Sequence, residues 1–238
     1  MQYQLSRAVA GPFLRLLARP KVTGAENVPA SGGAIIASNH LSVVDSIFLP
    51  LMLDRPVTFA AKSEYFTGTR LSQRLAGAYL RATKQLSTDR DGARAAQDML
   101  DAALGLLSGG ALFGIYPEGT RSPDGRLYRG RTGVGWLALH SGMSVVPVAM
   151  VGTDRMLPPG RSIPRPGRIE VRIGEPMSFD AYRGEPAGAR QRRAVTDEVM
   201  QAICKLSGQE YVPIYASVRK DEMAAASRRS SRPAGESR

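Results

Sequence analysis

Two short stretches of this chain carry side chains that can move a proton and hold an anion. The first is Asn39-His40-Leu41-Ser42-Val43-Val44-Asp45. An imidazole takes and returns a proton near neutral pH. A carboxylate on its other ring nitrogen selects the tautomer and stabilises the imidazolium that forms. Residues five apart on an ideal helix lie about 140° apart at ~100° per residue. His40 and Asp45 can therefore meet only if His40 lies in the turn before a helix begins. Ser42 is then the expected N-cap. The heptapeptide alone also allows a loop histidine and an acid that merely suits a helix start.

The second stretch is Tyr116-Pro117-Glu118-Gly119-Thr120-Arg121-Ser122. Gly119 permits backbone angles that other residues resist. Arg121 offers a rigid fork suited to phosphate. Glu118 can orient a bound molecule or anchor Arg121; a polar turn with one ion pair is the plainer reading. Arg126, Arg129 and Arg131 follow, either as a solvated basic loop or as a surface for anionic phosphates, and closeness to Glu118 favours the second. Cys204 sits among apolar neighbours on a helical pattern and reads as core. His140 falls at a helix end, where an imidazolium suits the dipole. Gly133-x-Gly135-x-x-Ala138 imitates a dinucleotide fingerprint, but an Arg-rich loop precedes it where a strand is required.

Both chemical stretches follow apolar runs that read as buried strands. Those runs are Gly33 to Ser38 and Ala111 to Tyr116; Pro56 to Ala61, Val145 to Val151 and Arg168 to Ile173 complete the set. Helical periodicity lies between them, over Ser42 to Leu53, Arg70 to Tyr79, Gly92 to Leu107 and Gly133 to His140, and later over Arg190 to Leu206. The alternation predicts an α/β fold: a single domain over residues 21–215 with a central, mostly parallel sheet flanked by helices. Residues 1–20 read as an amphipathic helix, with Leu5, Val9, Phe13, Leu16 and Leu17 at helical spacing and arginines between. Its apolar face can pack on the domain or lie in a lipid interface. Residues 216–238 form a basic tail, and its Ser-, Arg-, Ala- and Gly-rich stretch from Lys220 onward is expected to be disordered.

Composition narrows the partners. With 32 Lys+Arg against 21 Asp+Glu, the net charge of +11 favours anionic partners. Aromatics at 6% are too sparse for a base-stacking surface, and no zinc-finger spacing or RNP-like strand is present, so nucleic acid is not expected. One cysteine and two histidines rule against a structural zinc site. No apolar stretch reaches the ~18–20 residues that span a bilayer, and Arg7 and Arg15 interrupt the N-terminus as a signal peptide. The chain is expected to be cytosolic, or to lie on a membrane without crossing it.

Taken together, the two motifs resemble those of the PlsC-type glycerolipid acyltransferases, especially the 1-acylglycerol-3-phosphate acyltransferases. That family carries N-H-x-x-x-x-D, an arginine motif, F-P-E-G-T-R-S, and then an apolar strand with a proline. The chain matches with Asn39-His40 to Asp45, Tyr116 to Ser122 and Val146-Pro147-Val148-Ala149, in the same order, from about Lys21 to Glu175. Tyr116 stands where the family has Phe, and Thr83-Lys84 where its middle motif has glycine. The resemblance implies that His40 deprotonates an acceptor hydroxyl and that Asp45 orients it. It implies an acceptor site shaped by Glu118, Gly119, Thr120 and Arg121, with Arg121 on phosphate and Arg90 and Lys62 as further phosphate ligands. It further implies acyl-CoA or acyl carrier protein as cosubstrate and a lysophospholipid acceptor. No metal or bound cofactor is expected. The protein would work peripherally, on the anionic cytoplasmic face of the cell membrane. Acylation of glycerol 3-phosphate or of another lysolipid stays open as an alternative, as does a non-catalytic basic lipid-binding module.

Overall fold

The computed structural model describes residues 11–12, 16–62, 77, 85–88, 92–158, 161, 163–182 and 187–230. Its centre is strand β2 (Ala34–Ser38), buried along its whole length. Side chains alternate across a strand. Ala34 and Ile36 therefore join the core on one face of the sheet, and Ile35 and Ala37 the core on the other. A strand covered on both faces reads as an unbroken apolar run, which is why AIIAS stands out in the sequence.

Around β2 the sheet is seven-stranded, built from β1 (Lys21–Thr23), β3 (Val57–Lys62), β4 (Leu86–Thr88), β5 (Leu112–Ile115), β7 (Val145–Val151) and β8 (Glu170–Ile173). The order is β1-β8-β7-β2-β5-β3-β4. Every pairing is parallel except β7 with β8. A separate two-stranded ribbon pairs β6 (Leu127–Tyr128) with β9 (Tyr211–Val212), also in parallel. The expected α/β architecture with a mostly parallel sheet is the one observed. The extra strands β1, β4, β6 and β9 are two or three residues long, too short to show a period of two.

Helix α1 (Asp45–Met52) covers one face, burying Phe48, Leu49 and Leu51. Each such side chain contributes roughly 1.5–3 kcal/mol when fully removed from water. Helices α2 (Ala93–Ser108), α3 (Gly133–Ser141) and α5 (Ala189–Ser207) cover the other face, and a short α4 (Thr153–Met156) follows β7. Gly135 is placed for packing: a Cβ there would lie 2.2 Å from the backbone oxygen of Arg192. The Gly133-to-Ala138 pattern therefore records close contact between α3 and α5.

Two local expectations change. Ser42 does not cap α1. Val44 holds the N-cap position, while Ser42 Oγ donates to the carbonyl of Leu157 at 3.0 Å. The Asp45 carboxylate, at the first helical position, turns back instead and accepts the amides of Leu41 and Ser42 in the turn before the helix. The tail expected to be disordered is helical as far as Ser230, in α6 (Ala216–Ser230). Its Ala, Arg, Lys and Met residues are strong helix formers, and Ala216 is fully buried. Residues 231–238 lie outside the described residues, as does most of the expected helix Arg70 to Tyr79. Of the N-terminal segment, Leu16 to Ala18 are helical. Ala18 is buried in the core and Leu17 packs against it, while the neighbouring Leu16 is exposed.

Candidate active site

β2 and β5 lie side by side and parallel, so the loops leaving them open at the same edge of the sheet. Carboxyl edges of open α/β sheets are where ligands bind. The loop after β2 carries His40 and the loop after β5 carries Glu118 to Ser122.

Asn39 anchors the first loop. Its side chain is fully buried. It donates to the Met150 carbonyl at 2.9 Å and accepts the Met150 amide at 2.7 Å. An amide side chain thus prolongs the β2–β7 ladder by one position. His40 follows, before the helix starts. Its Nδ1 lies 3.0 Å from Asp45 Oδ2, with the Asp45 side chain fully buried and the His40 side chain 14% exposed. The same Oδ2 accepts the backbone N–H groups of Leu41 at 2.7 Å and Ser42 at 2.8 Å. Three donors on one oxygen hold Asp45 in a single rotamer. In the tautomer with Nδ1–H donating to the carboxylate, Nε2 carries the lone pair and can accept a proton. No described residue hydrogen-bonds to Nε2.

Tyr116 supports the imidazole from beneath. The two rings stack at 3.9 Å and 11°, and Phe59 stacks on Tyr116 in turn at 5.0 Å. The Tyr116 hydroxyl lies 3.1 Å from Ser46 Oγ. The ring contact preserved by Tyr at this position is thus an aromatic shelf for His40, a role the linear motif does not display.

Glu118 sits differently from the expectation that it faces a ligand or Arg121. It is 1% exposed. Oε2 accepts the backbone N–H of His40 at 3.2 Å and Oε1 that of Tyr128 at 3.0 Å. Burial pushes its carboxyl up from an ordinary 4.5 to about 7, against the pull of those two amides. Gly119 has φ 73°, and a Cβ there would meet Arg131 Cδ and Nε at 2.9 Å. Arg121 is exposed. Lys62 ends β3, and Arg90 lies outside the described residues.

The arginines that follow divide into two groups. Arg126 is paired with Asp124 at 2.7 Å. Arg129 and Arg131 lie on the Tyr215 ring, 5.6 and 5.4 Å from its centroid. His140 Nδ1 meets the Trp136 carbonyl at 2.8 Å and the ring stacks on that indole, a structural setting. Cys204 is half-buried, its Sγ 3.4 Å from the Gln209 carbonyl. Among the described residues no three His, Cys, Asp or Glu side chains could together hold a metal ion. No described helix is long and apolar enough to cross a membrane.

A cavity of about 780 Å³ opens beside His40. Phe59, Ala95, Met99, Leu100, Ile115 and Trp136 line its apolar length, and Gly119 and Arg131 lie on its polar side. An apolar pocket of this size with a few convergent polar groups is the general form of a small-molecule site.

A family model described as Acyltransferase matches residues 19–151. The chain is 31% identical over 168 residues to a chloroplastic 1-acyl-sn-glycerol-3-phosphate acyltransferase of Arabidopsis thaliana, over 70% of this chain and 44% of that one. It is 29% identical over 196 residues to the 1-acyl-sn-glycerol-3-phosphate acyltransferase of Bacillus subtilis, over 82% and 91%. The crystal structure of the 1-acyl-sn-glycerophosphate acyltransferase PlsC from Thermotoga maritima superposes with a TM-score of 0.65 at 26% identity, over 86% of this chain and 79% of that one. The chain spans about half the length of several curated relatives it matches, 44%, 44% and 47% of three of them. With the matched region reaching from just before β1 through β7, the chain belongs to the Acyltransferase family, in its PlsC-type branch.

Proposed function

We propose that this protein transfers a fatty acyl group from an acyl thioester to the free hydroxyl of 1-acylglycerol 3-phosphate, giving phosphatidic acid. The observation that carries the reading is the His40–Asp45 contact at 3.0 Å beside a largely apolar cavity. His40 Nε2 takes the proton of the acceptor hydroxyl as its oxygen attacks the thioester carbonyl. The tetrahedral oxyanion collapses, the C–S bond breaks, and the departing thiolate takes the proton back from the imidazolium. Asp45 stabilises that imidazolium while it exists. Direct attack needs no enzyme nucleophile and no metal or bound cofactor. The acyl chain occupies the pocket between α2 and β5. Arg121 meets the acceptor phosphate, with Thr120 and Gly119 beside it. Glu118 acts by holding the two loops together.

The donor is acyl-CoA or acyl carrier protein; the excess of basic residues suits either anionic carrier. The protein works peripherally, on the anionic cytoplasmic face of a membrane, where the lysolipid acceptor resides. The N-terminal segment contributes to that contact, and deletion of residues 1–15 is expected to reduce co-sedimentation with anionic vesicles.

The deciding experiment is acyl transfer from palmitoyl-CoA to oleoyl-lysophosphatidic acid by the wild type and by a folded His40→Ala variant. Transfer by the wild type that collapses in the variant is expected. Equal transfer by both would remove His40 as the base. Equal rates on acceptors without phosphate would exclude the lysophosphatidate assignment.

A further inference from the structure

The chain beyond α5 lies outside the matched family region and returns to the candidate site. It is tied along the Asp124–Arg131 loop at successive points. Gln209 Nε2 donates to the Gly125 carbonyl at 2.6 Å, and Gln209 Oε1 accepts from Asn39 at 2.7 Å. Leu127 N–H donates to the Glu210 carbonyl and Arg129 N–H to that of Ile214. Tyr215 then lies against Arg129 and Arg131, and Arg131 Nη2 reaches Ser217 Oγ at 3.4 Å. The first two turns of α6 are thereby set over the Glu118 motif, where Lys220 Nζ donates to Thr120 Oγ1 at 2.5 Å.

The ion pairs around this helix are distributed unevenly. Arg126 pairs with Asp124, Arg193 with Asp197 and Arg219 with Glu222. Arg121, Arg131 and Lys220 make no ion pair among the described residues. Yet Lys220 is half-buried, and Arg121 is near enough to repel it. The carboxylate near enough to attract Lys220 is Glu118, whose two oxygens are already taken by backbone amides. A half-buried ammonium beside a like charge, with the carboxylate that attracts it engaged by backbone amides, is costly unless an anion completes it.

We infer that Lys220, carried by the C-terminal helix and in contact with Thr120, is a further ligand of the acceptor's phosphate, which it meets together with Arg121. This rests on the proposed function for the identity of the acceptor. The phosphate would replace Thr120 Oγ1 as the partner of Nζ, or share it, and α6 would form one wall of the acceptor site.

The test compares Lys220→Met and Lys220→Arg with the wild type, measuring KM separately for lysophosphatidic acid and for palmitoyl-CoA. Binding of sn-glycerol 3-phosphate is measured by calorimetry in parallel, without turnover. Lys220→Met is expected to raise the acceptor KM about tenfold, the order of one charge-assisted hydrogen bond, and to weaken glycerol 3-phosphate binding similarly. The donor KM stays fixed and Lys220→Arg restores most of the loss. Met223→Ala, at an exposed position of the same helix, leaves all three values unchanged. Loss confined to kcat, an equal rise in both KM values, or an equal effect of Met223→Ala would assign Lys220 a merely structural role and overturn the inference. A wild type that binds glycerol 3-phosphate through Lys220 but transfers no acyl group would instead refute the proposed reaction and leave the anion site standing.

Discussion

Ser122 donates its backbone N–H to the carbonyl oxygen of His40 at 2.7 Å. Glu118 accepts the backbone N–H of the same histidine, 78 residues away in sequence. Both polar groups of the His40 main chain are therefore held by the second motif. The two stretches are one structural unit: the loop after β5 fixes the loop after β2, and Asp45 fixes the imidazole within it. The active-site reading depends on this clamp, because proton transfer tolerates little misplacement of the base.

Asp45→Asn separates charge from geometry. An asparagine can present its oxygen where Oδ2 now accepts from Leu41, Ser42 and His40. Its NH₂ group then takes the place of Oδ1, a buried atom with no hydrogen-bond partner among the described residues. The loop is retained at a cost of about 1–3 kcal/mol for the unpaired amide. The imidazolium loses its counter-charge. Acyl transfer is expected to fall by about 10²–10⁴-fold with the acceptor KM little altered. Retention of more than a tenth of the wild-type rate in a folded variant would show that Asp45 only shapes the loop.

Glu118 makes stability depend on pH. In the unfolded chain its carboxyl ionises near its ordinary 4.5, whereas in the folded protein burial delays ionisation to about 7. Below the lower value both states are protonated and the group is neutral in its effect. As pH rises through this window the unfolded state ionises first, so the folded state loses stability, by on the order of 3 kcal/mol once both have ionised. Urea denaturation at pH 5 and pH 8 is expected to show a stability difference between wild type and Glu118→Gln that moves against the wild type by this order. A difference that stays constant with pH would mean that Glu118 ionises normally in the fold.

The elements that carry chemistry were legible because each follows a strand buried on both faces. AIIAS and the ALFGIY run announce themselves by apolarity, and the turn before α1 followed from the angular impossibility of a His40–Asp45 contact on a helix. Partners supplied by distant segments were not legible. Ser42 looks like a cap until Leu157 is known to lie opposite it. Glu118 looks like a ligand until the amides of His40 and Tyr128 are found on its oxygens. The segment from Lys220 has the composition of a tail, and what orders its start is contact with Tyr215's arginines and with Thr120, none of which is written in its own residues. Tyr116 stands where the family has Phe, and both keep a ring. Its alternation with Phe is itself the signal for an aromatic shelf.

Gly119→Ala tests the turn that sets Thr120 and Arg121. At φ 73° an alanine meets the left-handed penalty of roughly 1–2 kcal/mol, and its Cβ pushes on Arg131 Cδ and Nε. The side chain of Arg131 is long enough to yield, so the protein should fold with a modestly lowered Tm. The acceptor KM is expected to rise, because Arg131 and the two residues after Gly119 are displaced together. An unchanged acceptor KM at a lowered Tm would place phosphate recognition elsewhere.

Ala95→Phe tests the cavity as the acyl channel. Ala95 is half-buried on α2 and lines the apolar part of the pocket with Met99 and Leu100. A phenyl group there projects into open space between α2 and the sheet, so the core need not rearrange. Each methylene denied its place is worth about 0.8 kcal/mol. Two displaced methylenes therefore penalise a long donor by about tenfold in kcat/KM relative to a short one. Palmitoyl-CoA and octanoyl-CoA, compared at a fixed concentration of the same acceptor, read this directly. The expected result is a preference moved toward octanoyl-CoA with the acceptor KM intact. If both donors lose rate equally, the ring obstructs the reacting centre; if neither changes, the acyl chain runs along another surface and the pocket beside His40 serves a different part of the substrate.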